Sequence, residues 1–156
     1  MIVALTAIPR QFQELLARFG SLDDIDGPLR ARDPVTGWSP LERIGHVSDS
    51  LHASAKTTVA ILDGDRNRFP PVHIDAARAG VNVMPSRAVL AALDAAASDL
   101  AVAAPRADTV AWERNVQLGS LASNVREVLG DAVHDAQHHL ADVRVALEAT
   151  VAAFPN

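Results

Sequence analysis

The sequence predicts an all-α protein, a four-helix bundle with long irregular connections between its second and third and its third and fourth helices. Three observations predict it. Alanine supplies 29 of the 156 residues, while aromatic residues make up 4% and tyrosine is absent. Alanine loses no side-chain entropy in a helix and gives a strand little to pack, so this balance favours helices. Four segments repeat apolar residues at helical spacing, and nothing reads as a strand pair or an internal repeat.

The first helix is expected to start at Thr6, with Pro9 in its first turn, where a missing N–H costs nothing. Phe12, Leu15, Leu16 and Phe19 recur on one face, and Gly20 is the expected stop. A turn-rich stretch from Ser21 to Gly37 follows, with Gly27-Pro28 and Asp33-Pro34 as breakers. The second helix has the sharpest start. Ser39-Pro40-Leu41-Glu42 reads as an N-cap, a proline at N1 and a capping-box glutamate at N3. It should run to about Asp63 and end at Gly64. Leu41, Ile44, Val47, Leu51, Ala55 and Leu62 form its apolar stripe, and Trp38 is placed to staple the helix start to the bundle.

Asp65 to Pro85 carries three prolines and a glycine and reads as an irregular connection, with a helical turn possible near Ala76. Ser86 is the expected cap of the third helix, Arg87 to about Ala103, with Val89, Leu90, Leu93, Ala97 and Leu100 inward. Pro105 ends it, and a second irregular segment holds Trp112. The fourth helix begins between Gly119 and Asn124 and runs to about Ala152, with Val125, Leu129, Val133, Leu140, Val143 and Leu147 inward.

The length suits one domain over residues 1–156. A hydrophobic share of 49% against 21% charged residues is ordinary globular composition and argues against disorder. The absence of cysteine excludes disulfides, thiolate zinc sites, iron–sulfur clusters and a cysteine nucleophile. A net charge of −5 gives no support to nucleic-acid binding. No run reaches the length expected of a membrane span, and Met1 to Arg10 has no cationic start. The expected setting is the cytoplasm, with no nucleic-acid or membrane partner. Apolar residues exceed what four inner stripes need, which points to a homodimer.

The chemistry rests on histidine. His134 and His138 stand four residues apart, about 6 Å along a helix and about 40° past a full turn, so their rings share a face and can chelate one ion. Chance spacing on an alanine-rich helix, or two buried neutral histidines, would give the same pattern. His46, two turns into the second helix, can add a third imidazole. Three protein ligands leave open positions, as in catalytic rather than structural sites. The alternative is a core histidine bonded to a carbonyl. His139 is expected to point about 100° away from His138, toward an interface or solvent. His52 lies off the face of His46, and His73 falls in a loop. Asp49, Asp135 and Asp142 lie one turn from these histidines and can accept the ring N–H that a ligating histidine leaves over. Each can equally be a solvated carboxylate. Arg43, one turn before His46, can hold a substrate carboxylate or simply lie exposed.

Trp38-Ser39-Pro40-Leu41-Glu42 followed by His46-Val47-Ser48-Asp49 resembles the second-helix signature of the DinB-like superfamily of metal-dependent bundle proteins. The run His134-Asp135-Ala136-Gln137-His138-His139-Leu140-Ala141-Asp142-Val143-Arg144 resembles its last-helix signature. The order of the motifs and the helix lengths agree over essentially the whole chain. The resemblance implies a divalent metal held by His46, His134 and His138, with zinc or nickel the expected ion and iron an alternative. It also implies chemistry like that of relatives that use bacillithiol or mycothiol as co-substrate. Some of those relatives carry a glutamate in place of one histidine. With three histidines at the positions carried over, this chain departs from that variant and from a maleylpyruvate-isomerase activity.

Three functions follow as expectations, in order. The first is a low-molecular-weight-thiol S-transferase acting on an electrophilic small-molecule substrate. The second is a metal-dependent hydrolase using metal-bound hydroxide. The third is a non-catalytic dimeric helical bundle.

Overall fold

The computed structural model describes residues 2–64, 67–70 and 78–153. The protein is mostly helical, and four long helices carry its core: α1 (Ile2–Ala17), α3 (Pro40–Asp63), α5 (Ser86–Ala103) and α7 (Val125–Ala153). Short helices α2 (Asp26–Arg30), α4 (Arg78–Val81) and α6 (Thr109–Trp112) lie between them. Helix α3 packs against α5 and α7, and α1 packs against the same two. The first connection, from α1 to α3, and the last, from α5 to α7, therefore join helices that are not principal packing neighbours. The Asp65–Pro85 connection joins two that are.

The apolar stripes read from the sequence form one buried cluster, including Phe12, Leu15, Leu16, Leu41, Ile44, Val47, Leu51, Val89, Leu93, Leu100, Leu129, Val143 and Leu147. Helix α1 begins at Ile2, a turn earlier than expected, so Pro9 lies inside it. Pro9 has no N–H for the preceding turn, and Thr6 Oγ1 donates back to the Val3 carbonyl at 3.1 Å. Helix α5 and its 3₁₀ extension, Ser86–Arg106, are long and apolar enough to cross a membrane, with a mean hydropathy of 1.5, contrary to the expectation that no run would be. Here the helix has a core face, with Val89, Leu93, Ala96, Ala97 and Leu100 buried.

The start of α3 matches its sequence signature. The Glu42 N–H donates to Ser39 Oγ at 3.1 Å, and the Ser39 N–H donates to Glu42 Oε2 at 2.9 Å. Gly64, at φ 75°, ends the helix in the left-handed region. Ser86, by contrast, is not a cap. The residue before α5 is Pro85, and the Ser86 hydroxyl donates to Asp26 Oδ1 at 2.6 Å.

That bond belongs to a clamp that binds the α1–α3 connection to the segment before α5. Arg30 grips Asp26 through two bonds of 2.7 and 2.9 Å and donates to the carbonyls of Asn82 at 2.5 Å and Met84 at 3.0 Å. Asn82 returns a bond to the Arg30 carbonyl at 3.2 Å and accepts from Ser39 Oγ at 2.8 Å. The stretch read as only turns therefore holds a short helix, with Gly27 and Pro28 inside it. Arg30 and Ser86 hold the Asp26 carboxyl below the usual carboxylate range. A carboxylate depressed in the folded state stabilises it above its unfolded value and loses that contribution as pH falls through the folded value. Asp26→Asn should therefore be less stable than the parent at pH 7, with the difference closing below about pH 4. Urea unfolding across that range measures it.

Gly45 marks a close approach of α3 to α4. A Cβ there would lie 2.8 Å from Val81 Cγ1 and 2.9 Å from Cγ2. Valine is stiff at χ1, and Val81 adjoins Asn82 of the clamp. Gly45→Ala should cost about 1–3 kcal/mol in denaturant unfolding, despite its better helix propensity.

The expected absence of strands does not hold. A three-stranded sheet forms from β1 (Arg68–Phe69), β2 (Val116–Leu118) and β3 (Leu121–Ser123), in the order β1-β2-β3. Strand β1 runs parallel to β2, and β3 antiparallel to it, with Leu118 opposite Leu121. The two-residue turn is Gly119-Ser120, with Gly119 at φ 59°. Glycine with positive φ in the first turn position is the signature of a type II′ hairpin, and Val-Gln-Leu-Gly-Ser-Leu-Ala-Ser carries it in the sequence. The turn placed near Ala76 falls outside the described residues, and the nearest described turn is α4.

Candidate metal centre

Two helices build the site. His46 sits two turns into α3, where the capping box fixes the helix start and buries Ile44 and Val47 on either side. Asp135 and His139 sit four residues apart on α7. The three side chains converge, and one ligand atom from each lies within 4.8 Å of the others. His46 Nε2 is 3.7 Å from Asp135 Oδ2, and His139 Nε2 is 3.5 Å from Asp135 Oδ1. The side chains of His46 and His139 are 20% and 14% exposed, so this is a half-buried recess rather than a surface patch.

The structure gathers a different pair from α7 than the spacing argument chose. His134 is exposed, and His138 is 65% exposed. Neither joins His46 in the cluster. The reason is the angular phase of α7. Its buried face includes Ala132, Ala136 and Val143. His139 follows Ala136 by three residues and precedes Val143 by four, which keeps it on that face. His134 and His138 stand about 160° from Ala132 and Ala136, respectively, on the opposite side. His139, expected at an interface or in solvent, is thus the inward histidine. Asp135, expected to support a ligand, lies among the three. The usable signal was alanine: counting Ala132 and Ala136 as core positions turns the helix by the required angle.

The remaining residues named from the sequence surround the centre unevenly. Asp142 accepts a 2.7 Å hydrogen bond from Arg43 Nη1, and its Oδ2 lies 3.3 Å from His139 Nδ1 and 3.7 Å from His138 Nε2. Arg43 is not exposed. Its side chain is 11% exposed, and it also donates to Thr36 Oγ1 at 3.1 Å. Asp49 is not one of the three converging side chains. His52 lies away from them, 3.9 Å from Asp99, and His73 is outside the described residues. Trp38 faces the centre: its indole meets the His46 ring edge-on at 5.5 Å between centroids and stacks on His139 at 6.4 Å. The staple read from the sequence therefore covers two imidazoles.

The donor set suits a divalent cation. Burial pushes the Asp135 carboxyl up, but the His139 ring, the His46 ring and the Ser50 hydroxyl outweigh it and hold it below the ordinary range, so it is ionised at neutral pH. Its Oδ2 is buried and accepts no hydrogen bond. A desolvated carboxylate oxygen without a hydrogen bond is costly unless a positive charge compensates it. Imidazole and carboxylate together suit zinc, iron, nickel and cobalt.

Comparison with family models, with curated proteins and with solved structures returns no match to this chain. Fold and site define the class directly: a mostly helical protein with a His46–Asp135–His139 cluster that could bind a metal ion.

Proposed function

We propose that the chain is a metal-dependent enzyme on a DinB-like four-helix bundle, in which His46, Asp135 and His139 hold a divalent ion. Zinc, nickel and iron are the candidate ions. The proposed reaction joins a low-molecular-weight thiol, such as mycothiol or bacillithiol, to an electrophilic small molecule. The observation that carries it is the convergence of those three side chains in a half-buried recess, with one carboxylate oxygen of Asp135, Oδ2, buried and without a hydrogen-bond donor. A bound divalent ion would supply Lewis acidity, lowering the pKa of a coordinated thiol or water toward neutrality.

The chain's residues set the rest. Asp135 offsets part of the ion's charge. The Trp38 indole covers one side of the two imidazoles and keeps water from it. The absence of cysteine means that any sulfur nucleophile comes from outside the polypeptide. A hydrolase is the second reading. It is favoured by the donor set itself, since two imidazoles and one carboxylate also serve hydrolytic zinc enzymes.

Protein purified without a histidine tag and dialysed against zinc should retain about one ion per chain by elemental analysis. Loaded protein given mycothiol or bacillithiol and an alkylating electrophile should form the thioether faster than the thiol alone. Failure to retain metal removes the whole reading. Retention without conjugation for either thiol removes the transferase, and turnover of esters or amides without thiol selects the hydrolase.

A further inference from the structure

His139 presents its two ring nitrogens to two different carboxylates. Nε2 faces Asp135 Oδ1 at 3.5 Å, inside the cluster, and Nδ1 faces Asp142 Oδ2 at 3.3 Å, outside it. Nδ1 is buried, and no hydrogen bond is completed there. A buried ring N–H without an acceptor is costly, so the orientation of Asp142 matters to the ring. Asp142 is not free to turn. Arg43 Nη1 holds its Oδ2 at 2.7 Å, and Arg43 is itself tied to Thr36 and lies 5.9 Å from the centre of the Trp38 ring. The chain Thr36–Arg43–Asp142–His139 thus runs from the loop before α3, across α3, to α7.

We propose that Asp142, held by Arg43, is a positioning residue that keeps the His139 proton on Nδ1 and so reserves Nε2 as the ligand atom. This rests on the metal reading above and adds which nitrogen binds and what selects it. The two nitrogens of a ligating histidine are not equivalent. The bond made by one fixes the tautomer and ring angle of the other, and losing such a partner typically weakens metal binding 10- to 100-fold. The Arg43–Asp142 pair joins the two helices that carry the ligands.

The test is zinc affinity by competition with a chromophoric chelator, read together with ¹⁵N shifts of the histidine rings in the zinc-loaded protein. Asp142→Leu should weaken zinc about 10- to 100-fold, and Asp142→Asn, which keeps an acceptor oxygen, should recover part of the loss. Because Asp142→Leu strands Arg43, the double variant Arg43→Met/Asp142→Leu removes the pair as a unit and should show the same loss. Arg43→Met alone leaves the carboxylate in place but frees it to turn, and should weaken zinc measurably, though less than Asp142→Leu does. In the parent, the zinc-shifted nitrogen of His139 should be Nε2. Coordination through Nδ1, or an unchanged affinity in both Asp142→Leu proteins, overturns the role of Asp142 while leaving the metal centre standing. If the parent binds no zinc, both fall.

Discussion

Replacing His139 or His46 with alanine should abolish stoichiometric metal binding, and Asp135→Ala should do the same or leave a trace, whereas His134→Ala and His138→Ala should bind as the parent does. The contrast follows from exposure and direction. His46, Asp135 and His139 place their ligand atoms within 4.8 Å of one another, while His134 and His138 face outward on the same helix. Removing one of three ligands leaves two, too few to hold a divalent ion against water in a recess of this kind. Elemental analysis of the five variants, purified alike and without a tag, measures it. Trp38 offers a second signal. In a Trp112→Phe background it is the sole indole, and its contact with the His46 and His139 rings should make its fluorescence fall when nickel or copper is added. A loss of metal in the His134 variant together with retention in the His139 variant would reverse the assignment.

Glu42→Ala should destabilise the start of α3 by about 2–3 kcal/mol. Glu42 is 1% exposed. One carboxylate oxygen accepts the Ser39 N–H, and the other pairs with Arg32. Truncation leaves the buried Ser39 N–H without an acceptor, at about 1–3 kcal/mol, and breaks half of a capping box whose loss typically costs about 1 kcal/mol. Arg32 is half exposed, so its lost pairing adds little. For a chain of this length the midpoint of thermal unfolding should fall by about 4–12 °C. Ser39 follows Trp38 directly, and fraying there loosens the indole over the imidazoles. The metal-induced fluorescence change should therefore shrink in this variant even at temperatures where it remains folded. An unchanged unfolding midpoint would show that the box contributes nothing to stability.

The long helices were legible because their signals are local. Ser39, Pro40 and Glu42 specify a helix start through bonds that span three residues, and Gly64 specifies its end by its own backbone freedom. The apolar stripes of α1, α3 and α5 are buried as their spacing predicts. The hairpin's signal was equally local, Gly119-Ser120 between short apolar–polar segments, yet no strand pair was expected there. The α2 clamp was not local. Arg30 reaches Asn82, Met84 and Ser86 across more than fifty residues, and nothing around Gly27-Pro28 announces partners so far along the chain.

The centre divides in the same way. The sequence by itself determined that one helix carries histidines and aspartates at four-residue spacings, that His46 lies two turns past a capped start on another, and that no cysteine competes for metal. The last helix carries two pairs at that spacing, His134 with His138, the pair expected to chelate, and Asp135 with His139, the pair passed over, though the same 40° arithmetic applies to both. Only the tertiary structure chose between them. The choice is made by Ala132 and Ala136, whose small side chains belong to the buried face of α7 and turn Asp135 and His139 toward α3. Spacing along a helix fixes which side chains stand together; the packing of that helix against its neighbour fixes which way they look.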